Sequence, residues 1–179
     1  MVVNKNFDEI YEAYKNLVFN LSLQYVLNRE DAQDITQEVF VKLYQQLHKY
    51  DATKASLKTW IYQITINQSL DFIKARKSKK RFGFMSALFN ADTNEPVIDI
   101  SHVDHPGIIS EDKEAIQRLL LIIQTLPETQ QTAIILTKIE DRTQKEVAEI
   151  MNTTVKAVES LLQRAKQTIQ KKLNETEGL

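Results

Sequence analysis

Apolar residues recur along most of this chain at the three- and four-residue spacing that places them on one face of a helix. From Phe7 to Leu27 the spacing predicts one long helix with the inward stripe Ile10, Tyr14, Leu17, Val18, Leu21 and Tyr25. Asn28 is a favoured helix-capping residue, so it predicts the start of a second helix, which runs to about His48. That helix buries Ala32, Ile35, Val39, Leu43 and Leu47. With only three glycines and three prolines in 179 residues, the pattern indicates an all-α fold.

A third helix is predicted from Leu57 to about Ser78, and its apolar residues lie on more than one face, which is typical of a helix packed between neighbours. These residues are Trp60, Ile61, Ile64, Ile66, Leu70, Phe72 and Ile73. The helix ends in the basic run KARKSKKR, Lys74 to Arg81, in which six of the eight residues are Lys or Arg. Basic residues complement the carboxyl end of a helix dipole. Six basic residues are more than the helix dipole requires, so the run favours an anionic partner such as DNA.

The carboxyl-terminal half begins with a helix that carries Ile116, Leu119, Leu120 and Ile123 on one face. Pro127 is predicted at the first position of the next helix, where the missing amide hydrogen removes no hydrogen bond of the helix. That helix buries Thr132, Ile135, Leu136 and Ile139. Thr143 opens a further helix, because Thr143 and Glu146 have the spacing of a capping box. Its apolar face carries Val147, Ile150 and Met151.

A tight turn at Asn152 separates this helix from the last one, since Asn tolerates the left-handed backbone conformation. Thr153 or Thr154 caps the last helix, which starts at Val155 and turns inward Val158, Leu162, Ala165 and Ile169. Its outer face carries Lys156, Ser160, Gln163, Arg164 and Gln167. Because these side chains suit base edges and phosphates in a major groove, we interpret the pair as a DNA-binding helix-turn-helix. The competing interpretation is a helical hairpin whose polar face is only solvated.

Residues 82–112 lie between the two helical parts and show no sustained period. They are acidic from Asp92 onward, through Asp92, Glu95, Asp99 and Asp104. We therefore predict two small helical domains, 1–81 and 113–179, joined by a flexible linker at 82–112. The linker starts with the apolar sequence FGFMSALF, which could dock on a domain or on a partner.

Composition narrows the possible functions. The absence of cysteine excludes disulfides and Cys-type zinc sites. His102 and His105 lie near acidic residues, but we expect a solvated loop there and predict no metal site. No segment has the pattern of a secretion signal or a membrane span, so we expect a cytoplasmic protein. A net charge of −1 is low for a protein that binds DNA alone, and it favours one that a larger partner delivers to DNA.

Both halves resemble the extracytoplasmic-function (ECF) sigma factors, the smallest promoter-recognition subunits of bacterial RNA polymerase. DAQDITQEVFVKLY, Asp31 to Tyr44, resembles the family's DAEDLVQEVF segment. LKTWIYQITINQSLDFIKARK, Leu57 to Lys77, resembles its tWLyrIArNlaiDhlRkr segment. LPETQQTAIILTKIEDRTQKEVAEIM and AVESLLQRAK resemble the family's LP-helix, scaffold helix and recognition helix. The resemblance covers nearly everything outside the linker.

The resemblance implies a transcription initiation factor that is not an enzyme and uses no cofactor. Its implied partners are core RNA polymerase (the beta-prime clamp and the beta flap), promoter DNA and, by the family's habit, an anti-sigma factor. The implied polymerase-binding residues are Asp31, Asp34, Gln37 and Glu38. A loop at residues 51–57 would capture a flipped base of the minus-ten element, and the residues implied for that element are Asp51, Thr53, Lys54, Ser56, Trp60, Asn67, Asp71, Lys74, Arg76 and Lys77. The residues implied for the minus-thirty-five element are Thr154, Lys156, Ser160, Gln163, Arg164 and Gln167.

Three positions depart from the family pattern. Thr65 and Ile66 replace an Ala-Arg pair, Leu161 stands where the family usually has Arg, and Asn152 replaces the Gly of the turn. The first two departures remove basic groups near DNA. A stand-alone helix-turn-helix regulator is the alternative function, which the near-neutral charge and the asymmetric domains disfavour. A nucleotide-dependent enzyme would need a Gly-rich phosphate loop, which the sequence lacks.

Overall fold

The computed structural model describes residues 7–87 and 110–177, with side chains at 7–78 and 115–175. Within these ranges the chain forms helices and no strand, which confirms the all-α fold. The helices are α1 (Phe7–Val26), α2 (Arg29–Gln46), α3 (Leu57–Ala87), α4 (Ser110–Gln124), α5 (Glu128–Ile134), α6 (Gln144–Ile150) and α7 (Val155–Glu177). The chain divides into two units, the first formed by Met1–Lys49 and Ile64–Val103, and the second by Tyr50–Gln63 and Asp104–Leu179.

In the first unit, α1 packs along α2. The predicted stripes form the buried core, with Ile10, Val18, Leu21 and Tyr25 from α1 and Ala32, Ile35, Val39 and Leu43 from α2. The two helices meet at a sharp corner, because Leu27 adopts a left-handed φ of 49°. Asn28 then caps α2 as predicted, since its side chain accepts from the Asp31 amide at 2.9 Å.

In the second unit, α5 and α6 pack against α7. The predicted capping box is present at the start of α6: Glu146 Oε2 accepts from the Thr143 amide at 2.8 Å, and Thr143 Oγ1 accepts from the Glu146 amide at 3.3 Å. Asn152 takes the left-handed conformation with a φ of 49°, and Thr154 Oγ1 caps α7 by accepting from the Ala157 amide at 3.2 Å. The helix-turn-helix predicted from sequence is therefore formed. Its buried residues include Val147, Ala148, Ile150, Val158, Leu162 and Ala165.

Three boundaries differ from the sequence prediction. Helix α3 continues to Ala87 instead of ending near Ser78, since Lys and Arg are good helix formers and no proline interrupts the run. The predicted linker, 82–112, thus begins and ends with helical residues, since α4 starts at Ser110, and positions 88–109, including His102 and His105, lie outside the described part of the chain.

The other two differences are local. Helix α2 ends at Gln46 and passes into a 3₁₀ turn, Leu47–Lys49. Pro127 precedes α5 as its cap and not as its first residue, because its ψ of 142° is not helical. The end of α5 widens into a π-helical turn, Ile135–Ile139, in which the Glu140 amide donates to the Ile135 carbonyl at 3.0 Å.

Candidate nucleic-acid interface

The outer face of α2 carries the residues predicted to contact polymerase. Asp34, Gln37 and Glu38 are exposed and Asp31 is half-buried. Their spacings of three, four and seven residues place them on one stripe of the helix, opposite the buried positions. The stripe carries three carboxylates, so it suits a partner surface that is basic.

Helix α3 holds two of these carboxylates in place. The Gln68 amide nitrogen donates to Glu38, and the Arg76 guanidinium donates to Asp31 and forms an ion pair with it. Arg76 is itself one of the residues predicted to bind minus-ten DNA. A predicted polymerase contact and a predicted DNA contact are therefore bonded to each other in this structure.

Two exposed apolar residues continue the same face of α2 and were missed by the sequence analysis. Val41 is 55% exposed and Tyr44 is 68% exposed. The Tyr44 ring packs edge-on against Phe7 of α1, with ring centroids 5.1 Å apart, which leaves its other side open to solvent. The sequence could have indicated them, because they follow Glu38 by three and six residues and lie off the buried stripe.

The loop before α3, predicted to capture a flipped base, is organised by Asp51. Asp51 Oδ1 accepts from the Thr53 amide at 2.9 Å and from the Thr53 hydroxyl at 2.6 Å. These two bonds hold the pKa of Asp51 below its usual range, and the bond from the Thr53 hydroxyl has the larger effect. The positive charge of nearby Lys54 lowers this pKa further. Tyr50 also spans the loop, because its hydroxyl donates to the Ala55 carbonyl at 3.0 Å. The loop is thus a built turn with exposed Thr53 and Lys54 side chains at its tip.

Ser56 and Trp60 have structural roles beside the predicted ones. Ser56 Oγ accepts from the Thr59 amide at 3.0 Å and so caps the start of α3. The Trp60 ring is half-buried and lies 5.2 Å, centroid to centroid, from the Tyr50 ring. Further along α3, the remaining residues predicted for the minus-ten element are all exposed, namely Asn67, Asp71, Lys74, Arg76 and Lys77.

In the second unit, the start of α3 packs beside the helix-turn-helix. The Tyr62 hydroxyl donates to Glu140 Oε2 at 2.8 Å, and burial, followed by the Glu140 charge, raises the pKa of Tyr62 well above its ordinary value. The Gln63 amide reaches the Glu149 carbonyl at 3.4 Å. An open groove runs between these two segments of the second unit, lined by Lys54, Ala55, Thr59 and Gln63 on one side and by Lys145, Glu149 and residues 152–155 on the other.

The outer face of α7 presents most of the residues predicted to read DNA. Lys156, Gln163, Arg164 and Gln167 are exposed, Ser160 is half-buried, and Thr154 is exposed while serving as the helix cap. The inward stripe anchors the helix, since Val158 and Ala165 are fully buried. Leu161, where a basic residue was expected from the resemblance, is half-buried.

Two negative findings apply to the described residues. Within residues 7–87 and 110–177, no helix is both long enough and apolar enough to cross a lipid bilayer. In the same ranges, no three side chains of the metal-binding types come together in a cluster that could hold an ion.

Two family models match the chain in the order that the sequence suggested. Sigma-70 region 2 matches residues 10–79, which run from α1 into α3, and Sigma-70 region 4 matches residues 116–169, which include the helix-turn-helix. Together the two matches span most of the chain.

Full-length relatives agree with these matches. The chain is 28% identical over 173 residues to the ECF RNA polymerase sigma factor SigW of Bacillus subtilis, covering 94% of this chain and 89% of SigW. It is 29% identical over 172 residues to the ECF RNA polymerase sigma-E factor of Haemophilus influenzae, covering 94% of this chain and 88% of that protein.

Solved structures share the fold. CnrH, solved in complex with the cytosolic domain of CnrY, matches with a TM-score of 0.64 and 16% identity, over 97% of this chain and 92% of CnrH. The sigma factor RpoE of Bartonella quintana, solved with the anti-sigma factor NepR, matches with a TM-score of 0.65 and 16% identity, over 95% of this chain and 98% of RpoE. Because both sigma-70 regions, the full-length relatives and the helical fold agree, the chain belongs to the ECF sigma factors of the sigma-70 family.

Proposed function

We propose that this sigma factor binds core RNA polymerase through the outer face of α2 and directs it to promoters that carry a minus-ten and a minus-thirty-five element. The observation that carries the proposal is the presence of region 2 and region 4 in one chain, each with an exposed polar face turned away from its core. In this proposal the polymerase performs the chemistry, and the sigma factor works beside it in the cytoplasm without a catalytic site or a cofactor.

The polymerase surface comprises Asp31, Asp34, Gln37 and Glu38, and the beta-prime clamp is its partner. Asp34 and Glu38 favour a basic partner, because opposite charges across an interface steer and orient association, whereas the Asp31 charge is already paired with Arg76. Val41 and Tyr44 extend this surface with apolar area, which a partner can bury. The beta flap would contact the carboxyl-terminal domain, which we place at residues 113–179, after a linker that starts near residue 82.

Minus-ten recognition falls to the loop before α3 and to the exposed residues of α3. Capturing an unstacked base offsets the few kcal/mol that unstacking costs, and so it traps the open promoter. The Asp51 bonds to Thr53 support this role, since they hold the loop in one shape before DNA arrives. Lys74, Arg76 and Lys77 supply positive charge for the phosphates of the melted strand.

Minus-thirty-five recognition falls to the outer face of α7. In a helix-turn-helix, the second helix enters the major groove and its exposed amides and cations reach base edges and phosphates. Gln163 and Ser160 lie in the middle of this face and are proposed to read bases, whereas Lys166 and Lys171 anchor the helix to phosphates. Lys156 and Arg164 can serve either role.

An anti-sigma factor is a further proposed partner. Bartonella RpoE was solved with an anti-sigma factor, and its fold is similar to that of this chain. A repressor that covers the DNA- or polymerase-binding faces would keep the sigma factor inactive until a signal removes it.

In vitro transcription with purified core polymerase tests the function directly. Added to core polymerase on fragmented genomic DNA of the source bacterium, the protein is expected to produce transcripts with defined start sites. A stand-alone regulator would instead bind a palindrome as a dimer and would give no such transcripts with core polymerase alone. That outcome would replace the proposed function with the alternative.

A further inference from the structure

Gln68 of α3 lies between two opposite charges on α2. Its side chain is buried, with 7% of the residue exposed. The amide nitrogen donates to the Glu38 carboxylate, and the amide oxygen accepts from the Lys42 ammonium. The charges allow only this orientation, because a carboxylate accepts and an ammonium donates. The neutral Gln68 side chain therefore forms a hydrogen bond with each of the two charged side chains.

Without Gln68, the two charges would have each other as partners. Glu38 and Lys42 are four residues apart, with the glutamate nearer the amino end, which is the favourable order for an ion pair along a helix. A direct pair would cancel the Glu38 charge on the α2 face. Gln68 instead bonds Glu38 without cancelling its charge and holds Lys42 at the other end of the amide.

We propose that Gln68 is a positioning residue for polymerase binding, which keeps Lys42 away from Glu38 and fixes the Glu38 carboxylate on the α2 face. This inference rests on the proposed role of α2 in binding polymerase. A side chain that is already fixed loses less conformational entropy when a partner binds it, so the same contacts give a higher affinity. Gln68 touches no partner itself and acts through Glu38.

A purely structural role makes a different prediction. Buried polar groups require hydrogen-bond partners, so Gln68 would contribute to folding even if α2 bound nothing. In that case a substitution at Gln68 would change stability, and removing Lys42 would not restore anything. The two roles are therefore separated by the dependence on Lys42 and by the salt dependence of binding.

The experiment measures the affinity of core polymerase for the full-length chain at two salt concentrations. Gln68→Met keeps a similar unbranched shape without the amide. We expect it to weaken binding by roughly threefold to tenfold and to reduce the salt dependence, because Lys42 then neutralises Glu38. Adding Lys42→Met should improve the affinity at least about twofold over Gln68→Met, since the competing cation is gone, without reaching wild type, since the bond that fixes Glu38 is still missing.

The matched control replaces a lysine that does not contact Gln68. Lys49 is exposed at the end of the turn after α2, and Lys49→Met changes the net charge by the same amount as Lys42→Met. In the Gln68→Met background it should restore nothing. If both lysine substitutions restored affinity, the effect would be one of total charge, and the proposal would be overturned. Wild-type affinity of Gln68→Met would also overturn it.

Two further variants keep the result interpretable. If circular dichroism shows that Gln68→Met is unfolded, Gln68→Asn replaces it, because its shorter amide cannot span both groups and the same loss is expected. Glu38→Gln tests the underlying assumption: wild-type affinity of Glu38→Gln would remove Glu38 from the polymerase surface and the role of Gln68 with it. Weaker binding by Glu38→Gln with wild-type binding by a folded Gln68 variant would overturn only the role of Gln68.

Discussion

The outer faces of α2 and α7 are both polar, but their side chains are held in different ways. On α2, Glu38 is bonded to Gln68 and Asp31 is bonded to Arg76, so both carboxylates are fixed by α3. On α7, among the described residues, no hydrogen bond or ion pair ties the side chain of Lys156, Gln163 or Gln167 to another element. Two carboxylates of the first face are therefore held in place by α3, whereas these three side chains of the second face can change rotamer.

This difference fits two kinds of partner. A protein partner presents one fixed surface, so pre-arranged side chains bind it with a smaller entropy loss. A set of promoters presents different base edges and bridging waters, which exposed amides and long cations can follow by changing rotamers. We infer that the α2 face contributes affinity for polymerase through side chains fixed in advance, whereas discrimination among minus-thirty-five sequences depends on individual side chains of α7.

The largest effect is expected from reversing charge on the α2 face. Asp34→Arg with Glu38→Arg should weaken polymerase binding by roughly a hundredfold or more, because like charges would then face each other across the interface. The fold should survive, because Asp34 is exposed and the loss of the Glu38 partner of the buried Gln68 amide should lower the free energy of unfolding by about 1 to 3 kcal/mol at most. Affinity is measured with core polymerase and the fold by circular dichroism.

A matched control separates the surface from the total charge. Glu9→Arg with Glu12→Arg makes the same change in net charge at exposed positions on α1, outside the α2 face. This control should bind polymerase like the wild type. Equal binding by the α2 double variant and the wild type would contradict the assignment of α2.

The next effect concerns promoter opening. Replacing Thr53, Lys54 and Ala55 with glycine removes the side chains at the loop tip while keeping Ser56, which caps α3. Base capture offsets a few kcal/mol of unstacking, so we expect roughly a tenfold or larger loss of open complex with polymerase binding unchanged. Permanganate reactivity of unpaired thymines reports the open region, and wild-type reactivity would place base capture elsewhere.

A smaller effect sharpens the distinction between reading and anchoring on α7. Gln163→Ala should cost roughly 1 to 3 kcal/mol on the preferred minus-thirty-five sequence and relax preference at one position. Lys171→Ala should weaken all sequences alike and reduce the salt slope by about one. A small library of minus-thirty-five variants, measured at two salt concentrations, checks both. If Gln163→Ala weakened every sequence equally, the reading residues would lie elsewhere on the helix.

The smallest effect is expected from the capping box at the start of α6, the helix that packs against α7. Thr143→Ala removes the hydroxyl of the capping box at the start of α6 and should lower the free energy of unfolding by about 1 kcal/mol. Thr143→Ser keeps the hydroxyl and should stay near wild type. Urea unfolding measures both variants, and an unchanged midpoint for Thr143→Ala would mean that the cap contributes nothing to stability.

Local signals in the sequence predicted the helix-turn-helix in detail. Thr143, Asn152 and Thr154 act through bonds to residues within three positions or through their own backbone angles, so the sequence alone contains the relevant geometry. The buried stripes of α1 and α2 were predicted for the same reason, because helical periodicity is local.

Contacts between distant segments could not be predicted in this way. The bonds that Gln68 and Arg76 make to α2 join residues 26 to 45 positions apart, and no pattern within either helix specifies which side chains meet. The predicted end of α3 was also wrong, since a basic run is equally compatible with a helix end and with continued helix. The candidate faces were therefore predictable, whereas the arrangement of charges upon them required the structure.

The most direct test of the proposed promoter recognition is the mapping of transcript 5′ ends made by core polymerase with this sigma factor on genomic DNA. We expect start sites preceded by one shared pair of elements, a minus-ten and a minus-thirty-five sequence. We also expect Asp34→Arg with Glu38→Arg to abolish these transcripts, whereas Gln163→Ala should retain them with relaxed preference in the upstream element. Start sites identical to those of core polymerase alone, or without any shared element, would contradict the proposed function.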